Sequence, residues 1–127
     1  MRVLRPGGRL VTADVIRNMP LKGRFERMMQ TNNWNFFCSK YCVPKENSDY
    51  PQDYVTKLEK ANFVNVDLQS IRDEVYPKLH AYMASDPSML RRFHLLARLP
   101  YKLALFFDDS KVYAPYDYVL VKAEKAA

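Results

Sequence analysis

Five residues of this sequence are candidates for contacting a small-molecule substrate: Asp14, Asn33, Trp34, Phe37 and His80. Asp14 lies near the end of a short apolar run, Leu10 to Val15, which predicts a β-strand. Ligands of open α/β sheets bind at the carboxyl ends of the strands, so Asp14 could face a bound molecule. A turn-forming or capping acid after a strand is the other interpretation.

Asn33, Trp34 and Phe37 belong to a cluster of amides and aromatic rings that runs from Asn32 to Phe37. Rings beside amide groups suit a pocket for an amphipathic molecule, but they suit the packing of a helix equally well. The histidines, His80 and His94, could act as general bases or could be surface residues held by hydrogen bonds.

Cys38 and Cys42, the two cysteines, are four residues apart, a spacing that one helical turn does not bring into disulfide geometry. We expect two reduced thiols in the core. A zinc site formed with His80 and His94 is excluded by spacing, because these histidines are fourteen residues apart rather than three to five. No metal is predicted.

Composition excludes two kinds of nucleotide site. Only three glycines are present, Gly7, Gly8 and Gly23, so neither a Gly-x-Gly-x-x-Gly loop nor a Walker loop occurs within the sequence. The formal net charge of +6 favours anionic partners. Without a basic block or a recognisable nucleic-acid motif, however, we predict no nucleic-acid partner. The 127 residues suffice for a single domain, and no apolar run is long enough to span a bilayer or form a signal peptide. These features indicate a soluble, cytoplasmic protein.

Apolar periodicity and turn residues predict the elements that must position the candidate residues. The end of a helix, stopped by Pro6, precedes the first strand. A mostly helical cap over about 16–47 follows, and then a helix capped by Ser48 or Asp49 and stopped by Asn62. That helix has a predicted buried stripe of Tyr54, Val55, Leu58 and Ala61. The remaining elements are a strand from Phe63 to Ile71, a helical insertion over about 73–109 that Pro77, Pro87 and Pro100 break, a strand from Tyr116 to Lys122, and a frayed tail.

Residues 1–15, Met-Arg-Val-Leu-Arg-Pro-Gly-Gly-Arg-Leu-Val-Thr-Ala-Asp-Val, resemble the segment around the fifth strand of class I S-adenosylmethionine-dependent methyltransferases. The later segments follow the order of that family, including Ala61-Asn62-Phe63 before a strand and Tyr118-Val-Leu-Val-Lys122 in the last strand. The resemblance is closest to the small-molecule branch, which methylates quinones, sterols and similar acceptors. Asn62 stands where relatives usually carry glycine, and asparagine also tolerates the left-handed conformation.

The resemblance implies an α/β, partial Rossmann-like fold with a three-stranded mixed sheet ordered fifth, seventh, sixth, the seventh strand antiparallel between the other two. It also implies methyl transfer to a small apolar acceptor. The family's Gly-rich loop and ribose-binding acid lie upstream of the matching motif, and this sequence contains neither. We therefore expect an acceptor-side half that binds S-adenosylmethionine only when an N-terminal half completes it. A non-catalytic ligand-binding or protein-interaction module is the alternative.

Two further expectations concern partners. The strand Leu10 to Val15 lacks the proline, glycine or repeated charges that protect a sheet edge, so a homodimer or a complex with the missing N-terminal half is predicted. Residues 90–107 combine apolar residues with four basic residues and no acid, a pattern that predicts either contact with a membrane surface or a helix that covers the sheet.

Overall fold

A computed structural model describes residues 4–127, apart from the side chains of Pro87 and Ala97. It contains three strands and five α-helices, with short 3-10 turns at Lys45–Asn47 and Pro87–Arg92. The strands are β1 (Arg9–Arg17), β2 (Phe63–Ser70) and β3 (Tyr116–Lys125); the helices are α1 (Arg24–Lys40), α2 (Pro51–Lys60), α3 (Arg72–Ser85), α4 (Leu95–Ala104) and α5 (Asp109–Val112). The part of the predicted first helix that falls in residues 1–3 lies outside the described residues.

The chain divides into two compact units. The sheet unit comprises the residues up to Ile71 together with Pro115–Ala127, and it contains all three strands, α1 and α2. The helical unit comprises Arg72–Ala114 and contains α3, α4 and α5. Each unit is described separately below.

The sheet has the order β1-β3-β2, and β3 pairs antiparallel with both neighbours. The predicted α/β fold is confirmed, but the sheet is antiparallel throughout rather than mixed. The two outer strands run parallel to each other, yet they are not neighbours, so no parallel ladder forms. The equivalence of these strands to the family's fifth, seventh and sixth strands stays a prediction.

The core of the sheet unit lies where α2 packs on one face of the sheet. Ile16, Val119 and Val121 are at most 2% exposed, and they contact half-buried side chains of α2 and β2: Tyr54, Leu58, Val66 and Leu68. Of the predicted stripe, Tyr54, Val55 and Leu58 are half-buried, whereas Ala61 is exposed. Asn62 ends the turn after α2 with a φ of 61°, which confirms the predicted left-handed stop.

Several predicted boundaries are wrong. Helix α1 begins only at Arg24: β1 continues through Ile16 and Arg17, and residues 18–23, which include Pro20 and Gly23, form no helix. Neither Ser48 nor Asp49 caps α2: Tyr50 is the N-cap residue and makes no side-chain cap hydrogen bond. The predicted frayed tail is instead the end of β3, where the amide of Ala126 donates to the carbonyl of Asn62 at 2.9 Å.

Prolines interrupt the helical unit less than predicted. Pro77 lies inside α3 and Pro100 inside α4, while Pro87 begins a 3-10 turn. An interior proline removes one backbone hydrogen bond, and tertiary packing can offset that loss. In α3 the adjacent Tyr76 is 7% exposed and stacks on Tyr113 with ring centroids 4.7 Å apart, so packing holds the helix together across Pro77.

Candidate functional site

The sheet unit contains a cleft of about 510 Å³ between β1, the segment after α1, and α2. We call it the β1–α2 cleft. Its walls combine apolar and polar side chains, and the residues that line it are Asp14, Val15, Ile16, Tyr41, Cys42, Val43, Pro44, Asn47, Asp49, Tyr54, Lys57 and Leu58. Of the five residues singled out from the sequence, only Asp14 lines this cleft.

Asp14 and Tyr54 form the first polar pair of the cleft. The hydroxyl of Tyr54 donates to Oδ2 of Asp14 at 3.2 Å, and Oδ1 of Asp14 accepts from the backbone amide of Val15 at 2.8 Å. Burial raises the pKa of Tyr54 to about 12, with further contributions from the charge and hydrogen bond of Asp14 and from the charge of Asp49. The tyrosine is therefore a neutral hydroxyl at physiological pH, held beside a carboxylate.

Asp49 and Lys57 form the second polar pair. Nζ of Lys57 lies 2.6 Å from Oδ2 of Asp49 and also donates to the backbone carbonyl of Glu46. The side chain of Asp49 is 12% exposed and that of Lys57 is 48% exposed. The backbone carbonyl of Asp49 accepts from the amide of Arg17 at 3.0 Å, which ties the end of β1 to the segment before α2. The acid predicted as a helix cap thus anchors one wall of the cleft.

The two cysteines are free thiols in different environments. Cys38 is half-buried on α1, and burial raises its pKa. Cys42 is exposed and lines the cleft, with a φ of 53° that takes the chain out of α1. The prediction of two core thiols is therefore wrong for Cys42, because the helix ends before the turn that would have placed both cysteines on one face.

Trp34 and Phe37 pack inside the sheet unit instead of lining the cleft. Trp34 is 1% exposed, and its indole Nε1 donates to Oγ of Ser48 at 2.6 Å. Phe37 stacks on Trp34 and also contacts the ring of Tyr41, with centroids 5.5 and 4.6 Å apart respectively. Phe37 thus supports Tyr41, a wall of the cleft. Asn33 is exposed on α1.

His80 lies on α3 in the helical unit, half-buried, with its ring edge towards Tyr113 at 5.9 Å between centroids. Its Nδ1 is buried and has no hydrogen-bond partner among the described residues. Roles in substrate binding for Asn33, Trp34, Phe37 and His80 stay predictions. Across residues 4–127 no three His, Cys, Asp or Glu side chains come together as a metal site.

Sequence reasoning missed the part of the cleft that α2 contributes. Tyr54, Lys57 and Leu58 follow helical spacing, which places them on one side of α2, but periodicity by itself assigns Tyr54 only to the buried stripe. A tyrosine in such a stripe carries a hydroxyl that needs a partner when the ring is buried. That requirement, together with Asp14 near the end of β1, is the sequence signal that points to the Asp14–Tyr54 pair.

No family model and no curated protein matches this sequence. Solved structures do match the fold. Phosphoethanolamine N-methyltransferase 2 of Haemonchus contortus, in complex with phosphomonomethylethanolamine and S-adenosylhomocysteine, is similar with a TM-score of 0.64 and 13% sequence identity. The same enzyme in its selenomethionine form, in complex with S-adenosyl-L-methionine, gives a TM-score of 0.62, also at 13% identity.

Each of these matches covers 99% of this chain and 28% of the enzyme. The chain thus spans little more than a quarter of the length of the structures it resembles. At this sequence identity the likeness is one of fold. The fold of the 127 residues is similar to that of part of this N-methyltransferase.

Proposed function

We propose that this chain is the acceptor-side part of an S-adenosylmethionine-dependent methyltransferase, and that the β1–α2 cleft holds a small acceptor. The observation that carries the proposal is the fold likeness, which extends over 99% of the chain. The cleft supports it independently, because it joins a carboxylate and a neutral hydroxyl to an apolar wall within a volume suited to a small molecule.

The acceptor that suits this cleft is a neutral, largely apolar molecule with one polar group. Val15, Val43 and Leu58 supply apolar wall. Asp14 can accept a further hydrogen bond from an acceptor hydroxyl, and the oxygen of Tyr54, whose proton is donated to Asp14, can accept one as well. The carboxylates of Asp14 and Asp49 disfavour an anionic group, and Lys57, the lysine in the lining, is already paired with Asp49.

In this proposal the chain's residues contribute by orientation. Displacement of a methyl group requires the acceptor atom to lie in line with the bond that breaks, so positioning supplies much of the acceleration. S-adenosylmethionine supplies the methyl group when bound. A hydrogen bond to Asp14 or Tyr54 would fix the direction of the acceptor atom, and the apolar wall would exclude water around it.

The cofactor-binding part of the enzyme must come from sequence outside these 127 residues, on the same polypeptide or on another. The outer edge of β1 offers a place for it. Asn18 N donates to Pro115 O and Lys125 N donates to Gly8 O, so the even-numbered residues of β1 pair with β3 and the odd-numbered ones face outwards.

The chain itself occupies one end of that outer edge. The amides of Val15 and Arg17 donate to Asp14 Oδ1 and Asp49 O, and among the described residues those of Arg9, Val11 and Ala13 are left for a neighbouring strand. A homodimer through the same edge stays the alternative to pairing with a cofactor-binding part.

Calorimetric titration with S-adenosylmethionine tests the acceptor-side assignment. The 127-residue chain should bind it no more tightly than about 1 mM, roughly 4 kcal/mol weaker than a micromolar enzyme. Micromolar binding to this chain alone would show that the cofactor site is already present and would overturn the assignment.

Protection of Cys42 from alkylation tests the cleft. Iodoacetamide should modify the exposed Cys42 faster than Cys38, whose raised pKa makes its thiolate scarcer. 4-Methylphenol, an apolar molecule with one hydroxyl, should slow modification of Cys42 and leave Cys38 unchanged, and Tyr54→Phe should weaken that protection. Phosphomonomethylethanolamine should not protect. Protection by the phosphate compound would refute the apolar acceptor, and protection by neither compound would refute the cleft as the acceptor site.

A further inference from the structure

The helical unit exposes a continuous set of large apolar side chains on and after α4. Leu95, Leu96, Leu99 and Leu103 are between 52% and 81% exposed. Phe106 and Phe107, in the turn that follows, are 81% and 61% exposed. We call these six residues the α4 apolar surface. At about 100° per residue the four leucines span roughly 100° of the helix, so they share one side of it.

The opposite side of α4 is occupied by contacts within the helical unit. Tyr101 stacks on Phe93 with ring centroids 4.6 Å apart. The guanidinium of Arg98 donates to the carbonyls of Phe93 and Arg91 at 3.0 and 2.8 Å. His94 caps the helix by accepting from the amide of Leu96 at 3.3 Å. These contacts orient α4 so that the leucine side faces away from its own unit.

The charges before and within α4 are all basic, and the nearest acids after it are Asp108 and Asp109, directly after Phe107. Between Ser88 and Phe107 the sequence contains Arg91, Arg92, Arg98 and Lys102 and no acid. Arg98 is engaged with backbone carbonyls, whereas Arg91, Arg92 and Lys102 form no ion pair among the described residues. Lys102 lies next to the leucines on the helix, and Arg91 and Arg92 are exposed just before it. The surface is thus apolar, with basic residues before and beside it and two acids after its last phenylalanine.

From this arrangement we infer that the α4 apolar surface binds the surface of an anionic lipid membrane, with α4 lying in the plane of the interface. Interfacial helices combine an apolar side with lysine and arginine at its border, and they gain from both apolar burial and attraction to anionic headgroups. Helix α4 has ten residues, and no helix within residues 4–127 is long and apolar enough to cross a bilayer.

A second copy of the chain fits this surface less well. Two such surfaces placed face to face would bring Arg91, Arg92 and Lys102 against the same cations of the partner, on chains that each carry a net charge of +6. The lipid inference does not depend on the methyl-transfer proposal, because it uses residues of the helical unit alone. Failure of S-adenosylmethionine or acceptor binding would leave it standing.

Co-sedimentation with vesicles tests the inference. The full chain should bind vesicles of phosphatidylcholine and phosphatidylglycerol at 3:1 at least tenfold more strongly than vesicles of phosphatidylcholine alone, and 0.5 M salt should remove most of that difference. Equal binding to both vesicle types, or no binding to either, would overturn the inference.

Matched variants distinguish binding through the α4 apolar surface from nonspecific adsorption of the chain to vesicles. The double change Leu96→Ser and Phe106→Ser should lower vesicle binding at least tenfold, while Phe25→Ser with Phe36→Ser, at exposed sites of α1, should leave it within twofold. Arg91→Gln with Arg92→Gln should lower binding to anionic vesicles about tenfold, and Lys22→Gln with Arg24→Gln, which removes the same net charge elsewhere, should change it less than threefold.

Far-UV circular dichroism identifies any variant that loses its helices. The exposed positions of Leu96 and Phe106 predict unchanged spectra. If the α1 variant lost as much binding as the α4 variant, the proposed surface would be wrong. Concentration-dependent dimerisation abolished by Leu96→Ser and Phe106→Ser, without vesicle binding, would assign the surface to a second copy instead.

Discussion

Helices α2 and α4 are both ten residues long and both amphipathic, yet their apolar sides have opposite surroundings. On α2, Tyr54 and Leu58 pack against Ile16, Val119 and Val121 of the sheet. On α4, Leu96 and Leu99 are 81% and 64% exposed. Sequence periodicity alone does not distinguish these outcomes, because it reports that an apolar side exists and not what covers it.

The charged residues of the two helices differ in the same way. Helix α2 carries Asp53 and Glu59 along with its lysines, and Lys57 is paired with Asp49. The charged residues of α4, Arg98 and Lys102, are both basic. A helix that has its partner within the fold can carry mixed charges on its solvent side. A helix whose apolar side is uncovered and whose charges have one sign is suited to a partner of the opposite charge.

The largest expected difference between the two helices is in stability. Leu58→Ala removes a half-buried side chain from the core and should lower the free energy of unfolding by about 2 kcal/mol. Leu99→Ala, the same change at an exposed site of α4, should alter it by less than about 0.5 kcal/mol. Urea denaturation followed by far-UV circular dichroism measures both variants. Equal destabilisation would mean that α4 is also covered within the chain, and the comparison would fail.

The features that the sequence predicts differ between α2 and the helical unit in the same way. Helix α2, its stripe and its left-handed end at Asn62 were predictable, because local periodicity and a turn residue agree with the tertiary contacts. The positions of Pro77 and Pro100 inside helices were not, since packing offsets a local rule there. Of the cleft, Asp14 was predictable from its place near the end of a strand. Asp49 and Lys57 were not, because their pairing depends on how α2 docks.

Replacing one lysine in each helix should change the free energy of unfolding by less than Leu58→Ala does. Lys57→Met removes the partner of Asp49, whose side chain is only 12% exposed, and should lower the free energy of unfolding by about 1 kcal/mol. Lys102→Met makes the same change in charge on α4, where no ion pair is present among the described residues, and should stay within about 0.5 kcal/mol.

Urea midpoints at neutral pH compare the two lysine variants, and the comparison sharpens at low salt, where exposed charges are least screened. A loss for Lys102→Met as large as that for Lys57→Met would show that α4 also has an acidic partner within the chain. The basic border of the α4 apolar surface would then be unavailable to lipid.

The smallest expected effect is the alkaline behaviour of Tyr54 on α2. Burial and the neighbouring Asp14 raise its pKa from the ordinary value of 10.0 to about 12 in the folded chain. The folded state therefore favours the protonated hydroxyl, and this contribution to stability is complete below pH 10 and is lost as the pH rises through 12. Because the ring is only half-buried, solvent limits the size of the effect. Tyr54→Phe should flatten the decline of the urea midpoint above pH 10, whereas Tyr82→Phe, at an exposed site of α3, should retain it.

Trp34 fluorescence follows the sheet unit during this titration, since Trp34 is the single tryptophan and is buried there. If both variants declined as steeply as the unmodified chain, the Tyr54–Asp14 hydrogen bond would contribute nothing to holding α2 on the sheet, and the polar pair of the cleft would be free to rearrange around a ligand.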